Sequence, residues 1–392
     1  MIKPTLNFLI ISRYFPPPVK DGMTRYAESL AKGLQKAGHR IIVLTGSLEE
    51  NNNRLTFKDR NGIRVYKHIS IENLKLKNES WINLSRIIKR IAKKHEINHI
   101  IIQHPYHAHA AIKVKESLRI PVHYICHTAS LVEVKAREIE PGINRDIINE
   151  QQESYAFRKS NTVICVSKIL RRNLKILYNL KKNNIFYVPT GIEILKPRNS
   201  QKVKEIIDNI PRNKKIVLYV GRDSWEKGTD LLPGIIEETT SKTQIPFFVI
   251  VGIHRKNWSS FIYSKQTILL PWLTQNELNY LFSRCHILVI PSRRDSMPYV
   301  LLEAMGNSVV PIVTNNDGPG ELIIDRHNGL KVSYKFIKGK IQINPTEFAR
   351  KINMLIDNNY LHNKLSGNAF QTISQNFTVN KNIHEFLKVI NT

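Results

Sequence analysis

The sequence is poor in cysteine, and it has no long apolar run. Its three cysteines, Cys126, Cys165 and Cys285, lie far apart, so neither a disulfide framework nor a paired-cysteine zinc site is available, and we expect free thiols. No apolar run approaches the roughly 20 residues that cross a bilayer. The run from Leu6 to Ile11 is followed by Arg13 and is too short for a signal peptide, so we expect a cytoplasmic protein.

The sequence also lacks the minimum residues of several enzyme classes. It contains no P-loop, no G-x-G-x-x-G and no G-x-S-x-G pattern, which excludes the usual kinase, dehydrogenase and hydrolase sites. Five histidines are grouped in the first half, at His95, His99, His104, His107 and His109. From 104 to 109 no cysteine or carboxylate accompanies them, so we interpret the group as the polar wall of a cleft and expect no metal site.

Acidic residues are scarce relative to basic ones. The chain has 59 Lys and Arg against 32 Asp and Glu, a net charge of +27, with +17 in residues 1–195 and +10 in the rest. Such a surplus attracts phosphate-bearing partners, whether nucleic acid, anionic lipid or sugar nucleotide, but does not choose among them. A general bias of the source toward Ile, Asn and Lys explains part of it equally well. No recognised nucleic-acid module is present, and aromatics do not interleave with the basic clusters, so we expect no nucleic-acid partner.

Short runs of β-branched and aromatic residues alternate with segments of helical period along the whole chain, which is typical of α/β proteins. Most of the runs are continuously apolar, as parallel strands covered on both faces are. The runs are 6–12, 40–45, 63–68, 99–103, 122–127, 162–167 and 185–189, then 215–220, 247–252, 268–270, 287–291 and 309–314. The pattern predicts two doubly wound, Rossmann-like domains in tandem, joined near 190–200.

The residues after each run are the candidates for function, because parallel sheets bind ligands where the carboxyl ends of strands meet loops. One such loop runs from Gly221 through Arg222 and Lys227 to Gly228. Glycine lets the backbone approach a ligand, the following helix start supplies free N–H groups, and two cations suit a diphosphate. Both cations could equally be solvated loop charges.

Two later loops carry carboxylates and glycines. Asp295 follows one strand-like run, and Glu303 lies in a helix predicted to begin near Pro298. Both carboxylates could accept hydrogen bonds from sugar or ribose hydroxyls, although Glu303 could also be a helix-start carboxylate favoured by the helix dipole. In the next loop, Gly318 and Gly320 could present backbone amides to an anion or form a plain tight turn.

Together the three loops resemble those of the retaining glycosyltransferases of the GT-B fold, specifically family 4. The resemblance spans nearly the whole chain, because other segments match in the family's order: 14–39, 166–168, 189–193 and 328–330. It implies an α/β, GT-B architecture of two Rossmann-like parallel-sheet domains facing each other across a cleft. An acceptor-binding domain at 1–195 would precede a nucleotide-sugar-binding domain at 196–377, with a C-terminal helix at about 378–392 crossing back onto the first domain.

The resemblance also implies roles for the loop residues. Arg222 and Lys227 would bind the donor diphosphate, and Glu303 would bind the ribose hydroxyls. Asp295 stands where the family has the first glutamate of its Glu-x7-Glu motif, which reads the transferred sugar. The donor-site glycines would be Gly22, Gly221, Gly318 and Gly320, of which Gly22 would approach donor phosphate and acceptor from the first domain. His127 matches a histidine that contacts the donor sugar in several relatives.

The implied chemistry needs neither a metal nor a cofactor. Breaking the anomeric bond leaves a nucleoside diphosphate, and the fixed cations Arg222 and Lys227 would neutralise its growing charge. No two aspartates stand two residues apart, so the Asp-x-Asp metal motif of the other main transferase fold is absent. By resemblance, the acceptor hydroxyl would attack on the face from which the leaving group departs, and the donor phosphate would take its proton.

Several positions depart from the family pattern. Asp295 is one methylene shorter than glutamate, which moves the carboxylate by about a bond length. The segment 296–298 reads Ser-Met-Pro where Gly-Phe-Gly is common, Asp21 replaces the first glycine of a pair, and Ser308 replaces a helix-ending glycine. Since these changes leave the phosphate-binding residues in place, they affect the identity of the sugar more than the activity.

The segment Ser80 to Lys94 is amphipathic. Its apolar residues recur at helical spacing, and its basic residues are Arg86, Lys89, Arg90, Lys93 and Lys94. This pattern is typical of an ordinary Rossmann helix with a solvated face and also of a membrane-surface helix. Since family members often act on lipid-linked acceptors, peripheral attachment to an anionic inner membrane face is a hypothesis.

The function expected from these observations is transfer of a hexose-type sugar from a nucleotide diphosphate sugar to a saccharide or lipid-linked acceptor, in surface polysaccharide or glycolipid assembly. One alternative is a nucleotide-sugar 2-epimerase of the same fold, which would form product from the donor alone. The other is a basic nucleic-acid-binding protein.

Overall fold

The computed structural model describes residues 4–16, 21–46, 55–68, 78–131, 145–180, 184–195, 201–241, 243–253, 266–337 and 340–391. The chain divides into two compact units. Unit 1 comprises Met1–Gly191 together with Val379–Thr392, and unit 2 comprises Ile192–Thr378.

Unit 1 is built on a sheet of eight strands with helices between them. Its strands are β1 (Asn7–Ser12), β2 (Arg40–Thr45), β3 (Thr56–Arg60), β4 (Ile63–Lys67), β5 (His99–Ile102), β6 (Val122–Cys126), β7 (Thr162–Cys165) and β8 (Ile185–Tyr187). Its helices are α1 (Gly22–Lys36), α2 (Asn78–Lys94), α3 (Ala108–Leu118), α4 (Arg145–Lys159), α5 (Lys168–Leu177) and, from the end of the chain, α13 (Val379–Ile390).

The strand order in unit 1 is β3-β4-β2-β1-β5-β6-β7-β8. All neighbouring strands are parallel except the edge pair β3 and β4. Phe8 of β1 lies between Ile41 of β2 and His99 of β5. The order of strands therefore reverses direction between β1 and β5, which makes this the switch point of the sheet, where ligands of doubly wound folds bind.

The last helix, α13, packs against α1 in unit 1. A Cβ atom on Gly33 of α1 would lie 2.5 Å from the Ile383 side chain and 2.7 Å from the Val379 side chain. The Asn382 amide donates a hydrogen bond of 2.6 Å to the carbonyl of Pro189. Because a side chain on the Gly33 face would separate the helices, glycine permits their close approach.

Unit 2 is built on a six-stranded parallel sheet. Its strands are β9 (Ile216–Val220), β10 (Phe247–Val251), β11 (Thr267–Leu270), β12 (Ile287–Ile290), β13 (Val310–Thr314) and β14 (Leu330–Val332), and a separate antiparallel hairpin consists of β15 (Tyr334–Ile337) and β16 (Lys340–Ile343). Its helices are α6 (Gln201–Asp208), α7 (Leu232–Glu237), α8 (Gln275–Arg284), α9 (Tyr299–Gly306), α10 (Asp317–Leu322), α11 (Pro345–Asp357) and α12 (Asn359–Asn376).

The order in this second sheet is β11-β10-β9-β12-β13-β14. The chain moves outward from β9 to β11 and then returns to the other side of β9, so the switch point lies between β9 and β12. The strand interiors are fully apolar, with Leu218 and Leu288 paired across the switch point and neither exposed to solvent. The loops after β9, β12 and β13 are therefore neighbours at one edge of the sheet.

The two parallel sheets confirm the predicted α/β, doubly wound fold class. Each predicted run coincides with a strand to within one or two residues, and His127 lies just beyond β6 rather than in it. The three cysteines are free and buried, as expected. The sequence interpretation omitted β3, β14 and the hairpin, since these strands are short or solvent-exposed and give no continuous apolar run.

Candidate active site

The loop after β9 is pressed against the end of β12. It continues from Gly221 into a short 3-10 helix at Trp225–Lys227, which ends at Gly228 with a φ of +68°. A Cβ atom on Gly228 would lie 2.1 Å from the carbonyl oxygen of Pro291, a distance that no side chain tolerates. Glycine is required here both for its left-handed backbone and for the close approach.

The same loop forms an ion pair with the loop after β12. The Lys227 ammonium bonds the Asp295 carboxylate, and the two side chains are 26 % and 12 % exposed. Water screens a partly buried pair less than a surface pair, so this contact fixes both groups more firmly than an exposed ion pair would. Two residues predicted from separate loops are thus in direct contact, although 68 positions separate them.

Arg222, the other predicted cation, does not join this pair. Its guanidinium bonds the Glu226 carboxylate at 3.2 Å, one helical turn along its own loop, and its side chain is 67 % exposed. The backbone carbonyl of Arg222 accepts a hydrogen bond of 3.4 Å from the Tyr219 hydroxyl. Because its side chain is mostly in water, Arg222 can reorient toward an anion at little cost.

The loop after β13 meets the Asp295 loop through backbone contacts. The Gly318 N–H donates to the Asp295 carbonyl at 3.0 Å. A Cβ atom on Gly318 would lie 1.8 Å from the Ser296 carbonyl oxygen, so no side chain fits there. The Asp317 carboxylate accepts a hydrogen bond of 3.4 Å from the Asp295 N–H, and burial raises the pKa of Asp317. Gly320 packs instead on Asn315 of its own turn.

Glu303 lies on the buried side of α9 and is held by a residue that the sequence interpretation did not identify. The Gln275 amide donates to the Glu303 carboxylate at 2.9 Å, and it also bonds the Asn279 side chain at 3.2 Å. Gln275 is the first residue of α8, whose start is fixed by a capping box between Thr274 and Glu277. That Thr-x-x-Glu pattern after an apolar run was the available signal for a side chain at this edge.

In unit 1, Gly22 is the first residue of α1. The Asp21 side chain caps the helix by accepting a hydrogen bond of 2.8 Å from the Thr24 N–H. The aspartate that replaces the family's glycine therefore works as an ordinary helix cap. It leaves the Gly22 backbone at the start of the helix, where N–H groups are not used by the helix itself.

His127 lies at the same edge of the unit 1 sheet. Its ring packs edge-on against Tyr26 of α1, with 4.9 Å between ring centroids. Burial lowers the pKa of His127 to about 4, although the charge of Asp21 acts in the opposite direction. Its Nε2 atom is buried and has no hydrogen-bond partner among the residues that the structure describes. The imidazole is therefore neutral at physiological pH and offers a ring nitrogen for a hydrogen bond.

Three histidines of the group, His104, His107 and His109, follow β5. His104, after β5, has its pKa lowered to about 4 by burial and by the charge of Arg13. His109 stacks on Tyr155 with 3.9 Å between ring centroids. Among the described residues, no three or more histidines, cysteines or carboxylates are placed to hold a metal ion.

Family comparisons cover both units. Residues 20–194 match the description "Glycosyltransferase Family 4", and residues 200–372 match "Glycosyl transferases group 1". The chain belongs to this glycosyltransferase family. It is thus a family 4 enzyme, and family 4 enzymes use nucleotide sugars as donors; the resemblance of the sequence to this family is confirmed.

The curated relatives are distant. An uncharacterised glycosyltransferase of Methanocaldococcus jannaschii is 26 % identical, over 98 % of this chain and 97 % of its own length. TuaC of Bacillus subtilis, a candidate teichuronic acid biosynthesis glycosyltransferase, is 22 % identical over 84 % and 86 %. An N,N'-diacetylbacillosaminyl-diphospho-undecaprenol alpha-1,3-N-acetylgalactosaminyltransferase of Campylobacter jejuni is 27 % identical over 54 % and 50 %.

Solved structures share the fold of this family 4 enzyme. Sucrose-phosphate synthase of Thermosynechococcus elongatus matches with a TM-score of 0.80 at 16 % identity, covering 98 % of both chains. Anabaena HepE in complex with UDP-glucose matches with a TM-score of 0.73 at 15 % identity, covering 98 % of this chain and 99 % of its own. These likenesses confirm the GT-B fold.

The surface of α2 is basic. Leu84, Ile88 and Ile91 are buried, while the exposed basic residues are Arg86, Arg90, Lys93 and Lys94. Lys113 of α3 lies over the Trp81 ring, with its ammonium 5.1 Å from the centroid. In the part of the chain that the structure describes, no helix combines the length and the hydropathy needed to cross a bilayer.

Proposed function

We propose that this family 4 enzyme transfers a sugar, with retention of anomeric configuration and without a metal, from a nucleotide diphosphate sugar to a saccharide or lipid-linked acceptor. One observation carries the proposal. The Lys227–Asp295 ion pair joins a cation and a carboxylate from adjacent loops at the switch point of unit 2, where doubly wound sheets bind nucleotides.

In the proposed site, Lys227 and Arg222 bind the donor diphosphate. Lys227 is held in place by its carboxylate partner, whereas Arg222 is exposed and free to turn toward the phosphates. The glycines Gly221, Gly318 and Gly320 keep backbone close to the ligand. As the anomeric bond breaks, negative charge grows on the leaving diphosphate, and a cation already fixed beside it lowers the barrier. These two cations supply the charge that a metal ion would otherwise supply.

The carboxylates divide between the two sugars of the donor in this proposal. Glu303, steadied by Gln275, accepts hydrogen bonds from the ribose hydroxyls. Asp295 reads the hydroxyls of the transferred sugar, and its pairing with Lys227 aligns that sugar with the diphosphate. An acceptor-only carboxylate suits a hydroxyl donor in both places.

Unit 1 contributes the acceptor side. Neutral His127 forms one hydrogen bond with the donor sugar, either as acceptor or as donor. The backbone at Gly22 approaches the donor phosphate and the acceptor. The acceptor hydroxyl attacks on the face that the diphosphate leaves, and its proton passes to a donor phosphate oxygen. No enzyme nucleophile takes part in this scheme.

We place the reaction in surface polysaccharide or glycolipid assembly. Support comes from two relatives: TuaC is named for teichuronic acid biosynthesis, and the Campylobacter jejuni enzyme is named for a diphospho-undecaprenol acceptor. The exposed cations of α2 suit an anionic membrane surface, so we propose peripheral attachment at the inner face of the membrane. Flotation with anionic vesicles but not with neutral ones is the expected result, and equal flotation would contradict the attachment.

The deciding experiment combines a donor screen with two variants. Uridine, guanosine and adenosine diphosphate sugars are tested with EDTA present, with and without lipid-linked and saccharide acceptors. We expect Lys227→Ala to lower transfer by about 100-fold or more, since it removes a group that stabilises transition-state charge, and Arg222→Ala to have a similar effect. Lys214→Ala, at the opposite end of the unit 2 sheet, is the control.

Three outcomes contradict the proposal. Wild-type transfer by Lys227→Ala would remove the donor site from these loops. Conversion of the donor without acceptor would indicate a 2-epimerase. Loss of all transfer in EDTA, with recovery on adding a divalent cation, would contradict the metal-independent scheme.

A further inference from the structure

Two adjacent arginines, Arg293 and Arg294, lie in the loop between β12 and the candidate sugar-reading Asp295. In a nucleotide-sugar site, both would be expected to bind phosphate. We infer instead that Arg293 is a positioning residue that holds Lys227 in place, and that Arg294 does the same for the loop after β13. This inference rests on the proposed function, because it assigns the role of Lys227 in donor binding.

The guanidinium of Arg293 binds the loop that carries Lys227. Its two terminal nitrogens bond both oxygens of the Asp230 carboxylate, each at 2.7 Å. One of them also donates to the Trp225 carbonyl at 2.7 Å, and the guanidinium lies 4.4 Å from the centroid of the Trp225 ring. Arg293 is only 5 % exposed. A guanidinium engaged in a bidentate pair and buried to this extent is not available to a ligand.

The backbone of Arg293 extends the same connection. Its N–H donates to the Glu226 carbonyl at 2.8 Å. The contacts of this single residue therefore fall on Trp225 and Glu226, just before Lys227, and on Asp230, three positions after it. Because the chain is held on both sides of Lys227, the backbone that carries its ammonium is fixed in position.

Arg294 points to the other neighbouring loop. It pairs with Asp317 at 3.4 Å, and both side chains are largely buried. The Asn316 amide bonds the Arg293 carbonyl, so the start of α10 is tied to the same stretch of chain. The two consecutive arginines thus bind two different loops, Arg293 the loop after β9 and Arg294 the loop after β13. The loop after β12 thereby binds both of the other loops of the candidate site, those after β9 and β13.

The physical consequence concerns the precision of the site. A misplacement of about 1 Å in a catalytic group costs as much as about 100-fold in rate. Lysine at position 293 would keep the positive charge but lacks the planar fork that bonds both oxygens of Asp230. We therefore expect Arg293→Lys to loosen Lys227 without removing any group that touches the donor.

The test is a double-mutant cycle between Arg293→Lys and Lys227→Ala, in which the affinities for UDP, GDP and ADP are measured by calorimetry. We expect Arg293→Lys to weaken binding of the preferred nucleotide about tenfold in the wild-type background and less than about twofold in the Lys227→Ala background. Asp230→Asn provides a second variant, since its side chain is 46 % exposed and should tolerate the change. The matched control is Arg284→Lys, whose partner Asp208 lies 2.9 Å away at the other end of β12.

The outcomes separate the two claims. Equal losses from Arg293→Lys in both backgrounds would show a general structural role and overturn the positioning role. Weak binding by Lys227→Ala combined with normal binding by Arg293→Lys and Asp230→Asn would overturn it as well, while leaving the proposed function intact. Normal nucleotide binding by Lys227→Ala would overturn the donor site and this inference together.

Discussion

The carboxyl edges of the two sheets are built from different chemistry. In unit 2, ion pairs and backbone contacts across glycine connect three loops, with Lys227 and Asp295 at the centre. In unit 1, the corresponding edge carries a helix start at Gly22 and the partly buried, neutral histidines His104 and His127. One edge is therefore charged, which suits the anionic diphosphate of the proposed function, while the other offers neutral hydrogen-bonding groups that suit hydroxyls.

The largest expected difference between the two units is their stability in acid. Burial lowers the pKa of several unit 1 histidines, and the shift is largest for three of them: His104 and His127 fall to about 4 and His123 to about 3, against an ordinary value of 6.5. Between pH 6.5 and 4 the unfolded chain takes up protons that the folded unit refuses, so stability falls as the pH falls. Each such histidine costs about 1.4 kcal/mol per pH unit, or up to about 4 kcal/mol per pH unit for the three.

Unit 2 should resist acid better. Burial lowers the pKa of His286 to about 4 and also lowers that of His362, but these are fewer than the shifted histidines of unit 1. The pKa of Asp317 is raised, and a folded group that binds its proton more readily is stabilised as the pH falls. Hydrogen exchange of peptides from each unit, followed from pH 7 to 4, should show unit 1 opening first. His123→Phe should flatten the pH dependence of unit 1. Simultaneous opening of both units, or unit 2 opening first, would contradict the comparison.

Two glycines at close contacts offer a second test. Gly228 faces the Pro291 carbonyl and has a positive φ, whereas Gly33 faces the side chains of Ile383 and Val379 rather than backbone. We expect Gly228→Ala to destabilise unit 2 by about 3 kcal/mol or more, because backbone cannot move aside and the left-handed conformation is strained. Gly33→Ala should cost unit 1 only about 1 kcal/mol net, because the gain in helix propensity of about 1 kcal/mol offsets part of the cost of overpacking against α13.

Urea unfolding monitored by hydrogen exchange in each unit measures both values. Gly367→Ala serves as the reference, because a Cβ atom there meets nothing within 4 Å. A smaller loss from Gly228→Ala than from Gly33→Ala would show that the loops of unit 2 are less tightly held than the contacts indicate.

The smallest expected effect belongs to the neutral edge. His127→Ala should lower kcat about tenfold, the value of one hydrogen bond, and thus far less than the loss expected for Lys227→Ala. His127→Asn, which keeps a hydrogen-bonding group, should retain more activity than His127→Ala. His384→Ala, on the exposed face of α13, should match wild type. A loss for His127→Ala as large as that for Lys227→Ala would remove the distinction between the two edges.

The sequence predicts the interior of both sheets well, for a physical reason. A parallel strand covered on both faces must be apolar throughout, and such runs are visible without any partner. The edge strand β3, by contrast, is Thr-Phe-Lys-Asp-Arg and mostly exposed, so only its pairing with β4 makes it a strand. Pairing depends on tertiary packing, which a local pattern does not report.

The candidate site shows the same limit. Lys227 and Asp295 could each be identified from their loops, but their ion pair depends on the adjacency of β9 and β12. Arg293 binds the loop after β9 and Arg294 binds the loop after β13, because the two side chains point in different directions. Two identical neighbours in a sequence carry no sign of that direction. The Thr-x-x-Glu pattern marks the start of α8, but it does not show that Gln275 contacts Glu303, because that contact exists only in the fold.

The packing of α13 on α1 has a consequence for synthesis on the ribosome. All of unit 2 is translated as one uninterrupted stretch, whereas unit 1 needs a helix that emerges only after unit 2 is finished. The usual order, in which the N-terminal half matures first, is therefore reversed for the final step. Until Ile383 arrives, the face of α1 at Gly33 lacks the side chains that cover it in the folded protein.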